Sequence, residues 1–303
     1  MRLFDEATLR KLERLTLSAT SVRVGALKGN RRSRRRGTSI EFADYRDYAQ
    51  GDDLRRLDWN VFARLERPFI KLTEEEEDLA VHILVDTSSS MDWPPEAERQ
   101  TENKLRYALQ LAGGLGTIAL SSGDLVLVTL FDSAGRRDWG PFRGRQNGWP
   151  LLQFLEANFA PDRSQAARTT ALQLALQQYA ARGRRPGLLF LISDLLSPGD
   201  IRGGLSALLA RGYEVALIHV LSPDEALPEI GGDLKLVDVE TGESAEVTLD
   251  PLLVDEYVVR LEAWQAELQA FCAPRGIHYT KTTTGLTWDA LIQGGLRQQG
   301  VVR

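Results

Sequence analysis

From residue 80 onward the chain alternates short, almost wholly apolar runs with longer stretches in which apolar residues recur every three or four positions. The apolar runs Ala80–Asp86, Leu125–Phe131, Gly187–Ser193, Glu214–Leu221 and Ile277–Thr283 predict strands covered on both faces. Between them, Leu105, Ala108, Leu109 and Ala112 keep helical spacing, as do Leu172, Ala175, Leu176 and Tyr179, and later Tyr257, Leu261, Trp264 and Leu268. Such stripes pack helices onto a sheet. The alternation predicts an α/β domain with a doubly wound, mainly parallel sheet of Rossmann-like type, spanning residues 80–303.

Two segments depart from this rhythm. Leu234–Glu240 and Ala245–Leu249 alternate apolar and polar positions on either side of Thr241-Gly242-Glu243, which predicts a hairpin inserted near residues 233–249. Residues 1–79 open with a predicted helix, Asp5–Leu17, then become strand-like over Thr38–Phe42 and Arg67–Leu72, and read as a small β-rich N-terminal subdomain.

With 303 residues and 43% hydrophobic composition the chain can fill a core, and its net charge of −5 gives no global attraction to nucleic acid or to an anionic membrane. Arg31, Arg32, Arg34, Arg35 and Arg36 form a local basic run, read as a solvated loop with a nucleic-acid or anionic-lipid patch as the alternative. A single cysteine, Cys272, excludes an intramolecular disulfide and lies in an apolar helical stretch, where a buried, inert thiol is expected. No run reaches the ~20 apolar residues of a spanning helix. The segment Met1–Leu17 is too charged for a signal peptide. A soluble, cytoplasmic protein is the expectation.

The chemistry-bearing pattern follows the first central strand. Asp86-Thr87-Ser88-Ser89-Ser90 puts oxygen side chains at three alternate positions just past a strand's carboxyl end, where open parallel sheets bind ligands. One carboxylate and two hydroxyls can converge there, although a serine-rich turn also serves as a helix cap. Thr170 opens a helical stretch and Asp194 follows the strand that ends at Ser193, so both belong to loops expected at the same edge. Hard oxygen donors of low total charge suit Mg2+ or Mn2+.

The set Asp86, Ser88, Ser90, Thr170 and Asp194 resembles the metal-ion-dependent adhesion site of von Willebrand factor type A domains. That resemblance implies direct metal binding by Ser88 and Ser90, direct or water-mediated binding by Thr170, largely water-mediated binding by Asp86 and Asp194, and one open coordination position. Farther upstream, Arg36-Gly37-Thr38-Ser39-Ile40-Glu41-Phe42, then Tyr45-Arg46-Asp47-Tyr48-Ala49-Gln50-Gly51-Asp52-Asp53-Leu54-Arg55-Arg56-Leu57-Asp58-Trp59, then Ala63-Arg64, resemble the signature of the bacterial "domain of unknown function 58" family. That family carries a type A-like domain after this segment, and many members are encoded beside a MoxR-type AAA+ ATPase. The resemblance implies an adaptor working with such an ATPase or its client.

Catalysis finds little support among the side chains. His82 and His219 fall inside apolar strands and His278 in the last one, so each reads as a core histidine. No Gly-x-x-x-x-Gly-Lys-Ser/Thr phosphate loop is present. A magnesium-dependent phosphohydrolase is the enzyme alternative, but Thr87 and Ser88 stand where a further acidic residue would help. The expectation is a non-enzymatic module that captures a partner's carboxylate through its metal.

Overall fold

The computed structural model describes residues 3–19, 40–49, 57–75, 79–95, 99, 101–159, 171–228, 232–238 and 242–303. They divide between two compact units, Met1–Thr20 with Leu79–Arg303, and Ser21–Asp78. In the smaller unit β1 (Ile40–Asp47) and β2 (Phe69–Glu75) pair antiparallel with a bulge at Phe42/Asp44. A short helix intervenes, whose N-cap Asp58 accepts from the backbone N–H groups of Asn60 and Val61. The basic run Arg31–Arg36 lies outside the described residues.

The larger unit is built on a six-stranded sheet. Its elements in chain order are α1 (Glu6–Leu12), β3 (Ala80–Asp86), α2 (Lys104–Ser122), β4 (Leu125–Asp132), β5 (Gly135–Phe142), α3 (Gly148–Ala157), α4 (Leu172–Ala181), β6 (Leu188–Ser193), α5 (Arg202–Ala210), β7 (Glu214–Leu221), α6 (Pro223–Ala226), α7 (Pro251–Cys272), β10 (His278–Thr283) and α8 (Trp288–Leu291). Between α6 and α7, β8 (Gly232–Val237) and β9 (Ser244–Leu249) form a separate antiparallel pair. The strand order is β10-β7-β6-β3-β4-β5, parallel throughout except for β5, which runs antiparallel beside β4 at one edge.

Every residue of β3, β6 and β7 is buried, as continuous apolar runs require when helices cover both faces. Leu84, Leu189, Leu191, Val215 and Leu217 point to one face and pack with Leu172, Leu176 and Tyr179 of α4, Leu205 and Leu208 of α5 and Leu268 of α7. On α2, a Cβ added at Gly116 would stand 3.7 Å from Ile83, a neighbour of Leu84 along β3 and therefore on the opposite face. At Gly114 an added Cβ would stand 2.6 Å from Trp288 and 2.8 Å from Ile292. Glycine is what allows the chain's last helical segment to close on α2.

The first residues join this unit through apolar burial. Leu3, Leu12 and Leu17 are all buried, and Leu17 bridges to Val302. The stretch expected as one N-terminal subdomain is thus divided, its first twenty residues grouping with the sheet. The predicted helix Asp5–Leu17 is shorter, ending at Leu12. Among the described residues no helix is long and apolar enough to cross a membrane.

Candidate functional site

The sheet fixes the site through its crossing order. From β3 the chain passes by way of α2 to β4 on one side, and β6 lies against the other side. The carboxyl end of β3 is therefore the point where strand order reverses and a crevice opens. Asp86 is the last residue of β3, and Ser88 immediately precedes the short turn Ser89–Met91, without a side-chain capping bond to it.

Asp86, Ser88 and Ser90 are buried together. The Ser88 backbone N–H donates to Asp86 Oδ1 at 3.0 Å, and the Ser193 hydroxyl donates to Asp86 Oδ2 at 2.8 Å. Ser88 Oγ and Ser90 Oγ hydrogen-bond at 3.0 Å. Thr87 turns the other way, its hydroxyl donating to Phe131 O and to Asp132 Oδ2. Burial, with a smaller contribution from the charge of Asp194, pushes the Asp86 carboxyl up to about 6 against the lowering effect of its hydrogen bonds. A cation would relieve that cost.

Asp194 follows β6, and its loop turns through Leu195 at φ 59. Its Oδ1 accepts from Leu196 N at 3.1 Å. Its Oδ2 is held by Lys104 Nζ at 2.7 Å, an ion pair with both side chains out of solvent. Lys104 also reaches Glu225 Oε1 at 2.5 Å. Glu225 in turn closes a capping box with Ser222 at the start of α6. Burial alone would lower the Lys104 ammonium, but Asp194 and Glu225 outweigh it and raise its pKa. Asn103 caps α2 beside Lys104 and donates to Asp92 and to Pro94 O, tying the helix start to the loop beyond Ser90.

Four of the five expected ligands thus come from two adjacent strand ends that the Asp86–Ser193 bond joins. Thr170 lies outside the described residues. Leu172, at the start of α4, donates its N–H to Ser197 Oγ at 3.2 Å, so that helix is anchored on the loop that Asp194 opens. Two adjacent corners of an octahedron with ligands at roughly 2.1 Å stand roughly 3.0 Å apart. The Ser88–Ser90 separation of 3.0 Å fits that spacing. Among the described residues no three His, Cys, Asp or Glu side chains gather as a metal-ligand set. The donors available here are hydroxyls flanked by two carboxylates.

Ser193, Lys104 and Glu225 are participants that sequence reasoning did not single out. Lys104 stands at the first position of a helix, where its charge opposes the helix dipole by a small amount that a solvated lysine also tolerates. Here Asp194 and Glu225 offset it.

Two of the histidines find their partners away from the site, whereas His219 lies against the backbone of Asp194. His82 Nε2 meets Arg185 O at 3.0 Å and Nδ1 meets the Tyr179 hydroxyl at 2.7 Å. A carbonyl only accepts, so Nε2 carries the proton and Tyr179 donates to Nδ1. Burial drives the His82 pKa down to about 4. His219 is buried on β7 with Nδ1 2.8 Å from the Tyr279 hydroxyl, and burial lowers it similarly to about 4. His278, expected in the core, is instead partly exposed at the start of β10, 3.4 Å from Glu214. Cys272 is buried, and burial raises its thiol to about 11.

The model of the family described as "Protein of unknown function DUF58" matches residues 44–266, and the chain belongs to that family. An uncharacterised protein of Mycobacterium bovis is 30% identical over 286 residues, covering 94% of this chain and 86% of its own. An uncharacterised protein of Mycobacterium avium is 37% identical over 108 residues, covering 35% of this chain and 63% of its own. Among solved structures, the conserved hypothetical protein BatB from Bacteroides thetaiotaomicron aligns with 73% of this chain and 98% of its own at 15% identity and TM-score 0.42. An aerotolerance-related membrane protein from Bacteroides fragilis aligns with 74% and 96% at 17% identity and TM-score 0.43.

Proposed function

We propose that this DUF58-family chain is a metal-dependent protein-interaction module whose larger unit is a von Willebrand factor type A-like domain. The observation that carries the reading is the hydroxyl pair Ser88–Ser90, 3.0 Å apart and buried at the carboxyl end of β3. The mainly parallel sheet, with helices on both faces and a reversal of strand order at β3, supports the placement.

In this reading Ser88 and Ser90 hold Mg2+ or Mn2+ directly, Thr170 completes the set, and Asp86 and Asp194 supply charge from behind. A bound divalent ion would offer a strong electrophilic position to an incoming carboxylate. The chain's own part is to pre-set the donors. Ser193 and the Ser88 N–H fix the Asp86 carboxylate, and the short turn that follows Ser88 brings the Ser88 and Ser90 hydroxyls together. The partner is a protein presenting Asp or Glu, for which a MoxR-type AAA+ ATPase or its client is our candidate, in the assembly of a bacterial complex or in a stress response. A cytoplasmic, non-enzymatic role belongs to the same proposal.

Titration calorimetry with Mg2+ and Mn2+ on the wild-type chain and on the double variant Asp86→Ala, Ser88→Ala tests the site. We expect binding only by the wild type. Equal heats from both proteins would remove the assignment.

A further inference from the structure

We propose that Lys104 is a built-in competitor for the divalent ion, an internal cation that holds Asp194 and keeps the site's metal affinity low. The inference rests on the proposed metal site and concerns how that site is set.

The ammonium has no contact with solvent, with side-chain exposure of 0%, and it is divided between Asp194 Oδ2 at 2.7 Å and Glu225 Oε1 at 2.5 Å. It thereby joins three elements that end or begin at one edge of the sheet: the start of α2, the loop after β6 and the start of α6. Glu225 is itself fixed, accepting from the Ser222 N–H at 2.8 Å while its backbone carbonyl accepts from the Tyr257 hydroxyl at 2.6 Å. Lysine is a compact point charge with three donors. Two of those donors are spent on carboxylates, of which Asp194 would otherwise be buried without a counter-charge while Glu225 is 21% exposed.

A salt bridge that only tied loops together would be costly in such a place, because burying ions costs more than a well-packed apolar replacement. What distinguishes this pair is its position. One of the two carboxylates held by Lys104 is a proposed charge donor to the metal, and the hydroxyls Ser88 and Ser90 stand beside the other such donor, Asp86. Counting ionised groups, Asp86, Asp194 and Glu225 against Lys104 leave a formal charge of −2, and without the ammonium the set would carry −3. The attraction of a divalent ion to such a cluster of charges grows with that charge. An ion entering the hydroxyl pair must also share Asp194 with Lys104. The consequence is a site that binds metal weakly on its own and firmly when an incoming carboxylate adds the missing negative charge, so that ion and partner are captured together.

The test measures Mg2+ and Mn2+ affinity by titration calorimetry, and melting temperature with and without each metal, on the full chain. Four proteins are compared: wild type, Lys104→Met, Lys104→Met with Glu225→Gln, and Lys104→Met with Ser88→Ala and Ser90→Ala. The second variant keeps the formal charge at −2 while freeing Asp194, and it removes one unpaired carboxylate that could unfold the first. We expect at least about tenfold tighter binding by both Lys104 variants with intact serines, and a larger metal-induced rise in melting temperature than in the wild type. The gain should vanish when the serines are removed. Wild-type binding that Lys104→Met and its Glu225→Gln companion leave equal or weaken overturns the role of Lys104 and leaves the metal site standing. Absence of binding by every protein overturns both. A Lys104→Met chain that folds only when metal is added supports the proposal.

Discussion

Ser193 and Asp86 meet across the seam between β6 and β3, the serine hydroxyl donating to Asp86 Oδ2 at 2.8 Å while its oxygen also accepts from the Leu195 N–H at 3.0 Å. One small side chain thus holds a buried carboxylate and the turn that carries Asp194. Ser193→Ala removes a charge-assisted bond and leaves an amide without its acceptor, so a loss of about 2 kcal/mol is expected. Urea unfolding at neutral pH reads it. A midpoint unchanged from wild type would mean that Asp86 finds another donor at no cost.

Stability should depend on pH through His82. Its folded-state pKa of about 4 lies below the ordinary 6.5, so between those values the unfolded chain binds more protons than the folded one. The contribution is fully present above pH 6.5 and is lost as pH falls toward 4. The difference corresponds to a loss on the order of 3 kcal/mol. Unfolding free energies measured from pH 7 down to pH 4 should fall steadily, and His82→Gln should flatten that part of the slope. An equal slope in the variant would assign the dependence to other groups.

Gly187 stands where β6 begins, and a Cβ there would lie 2.0 Å from the carbonyl oxygen of Ala80 on β3. Backbone cannot yield as a flexible side chain does. Gly187→Ala should therefore cost about 3 kcal/mol through local separation of the two central strands. Thermal melting checks it, with Gly183→Asn, at a positive-φ glycine with nothing near its side, as a milder comparison.

Purified protein supplied with Mg2+ should turn over neither ATP nor a generic phosphate ester. The second acidic residue that would assist Asp86 as a nucleophile is replaced by Thr87 and Ser88, and Thr87 directs its hydroxyl to Phe131 O. Turnover that disappears in Asp194→Ala protein would refute this, whereas turnover indifferent to Asp194 would indicate a contaminant.

Partner capture should require metal. Removing a desolvated contact between a carboxylate and the ion is expected to cost about 2 to 5 kcal/mol, by analogy with deleting one member of a buried charge pair. That is roughly thirty-fold or more in affinity. Biolayer binding to the candidate ATPase with Mg2+, with EDTA, and with folded Ser90→Ala protein measures it. Equal binding in all three places the interface elsewhere on the chain.

The central strands were readable because burial on both faces leaves a continuous apolar run. Predicted Ala80–Asp86 and Glu214–Leu221 coincide with β3 and β7, and Leu125–Phe131 differs from β4 by one residue. The inserted hairpin was legible from its alternation around Gly242. β5 was not, because an edge strand with exposed Arg136 and Phe142 and with Gly140 and Pro141 inside it carries neither a clean alternation nor an apolar run. Within the site, Asp86, Ser88 and Ser90 stand close together in sequence and announce themselves as a group. Lys104 finds its two carboxylates 90 and 121 residues away, and nothing local tells a lysine that will be buried from one that will be solvated. Leu17 lost its predicted helical place to pairing with Val302 at the far end of the chain, a contact no local pattern encodes.

The antiparallel strand β5 closes one side of the sheet, and its composition governs what can attach there. Pro141 offers no N–H to a visiting strand, and Arg136, Arg137 and Asp138 set charges of both signs along the same short edge. Arg136 and Arg184 both engage Asp138, holding that charge in place. A second chain that tried to lengthen the sheet from this side would have to strip water from those groups for an incomplete ladder of hydrogen bonds. β5 thus works as a guard against runaway strand-to-strand stacking, so a sheet whose central strands are mostly apolar resists polymerising through this border.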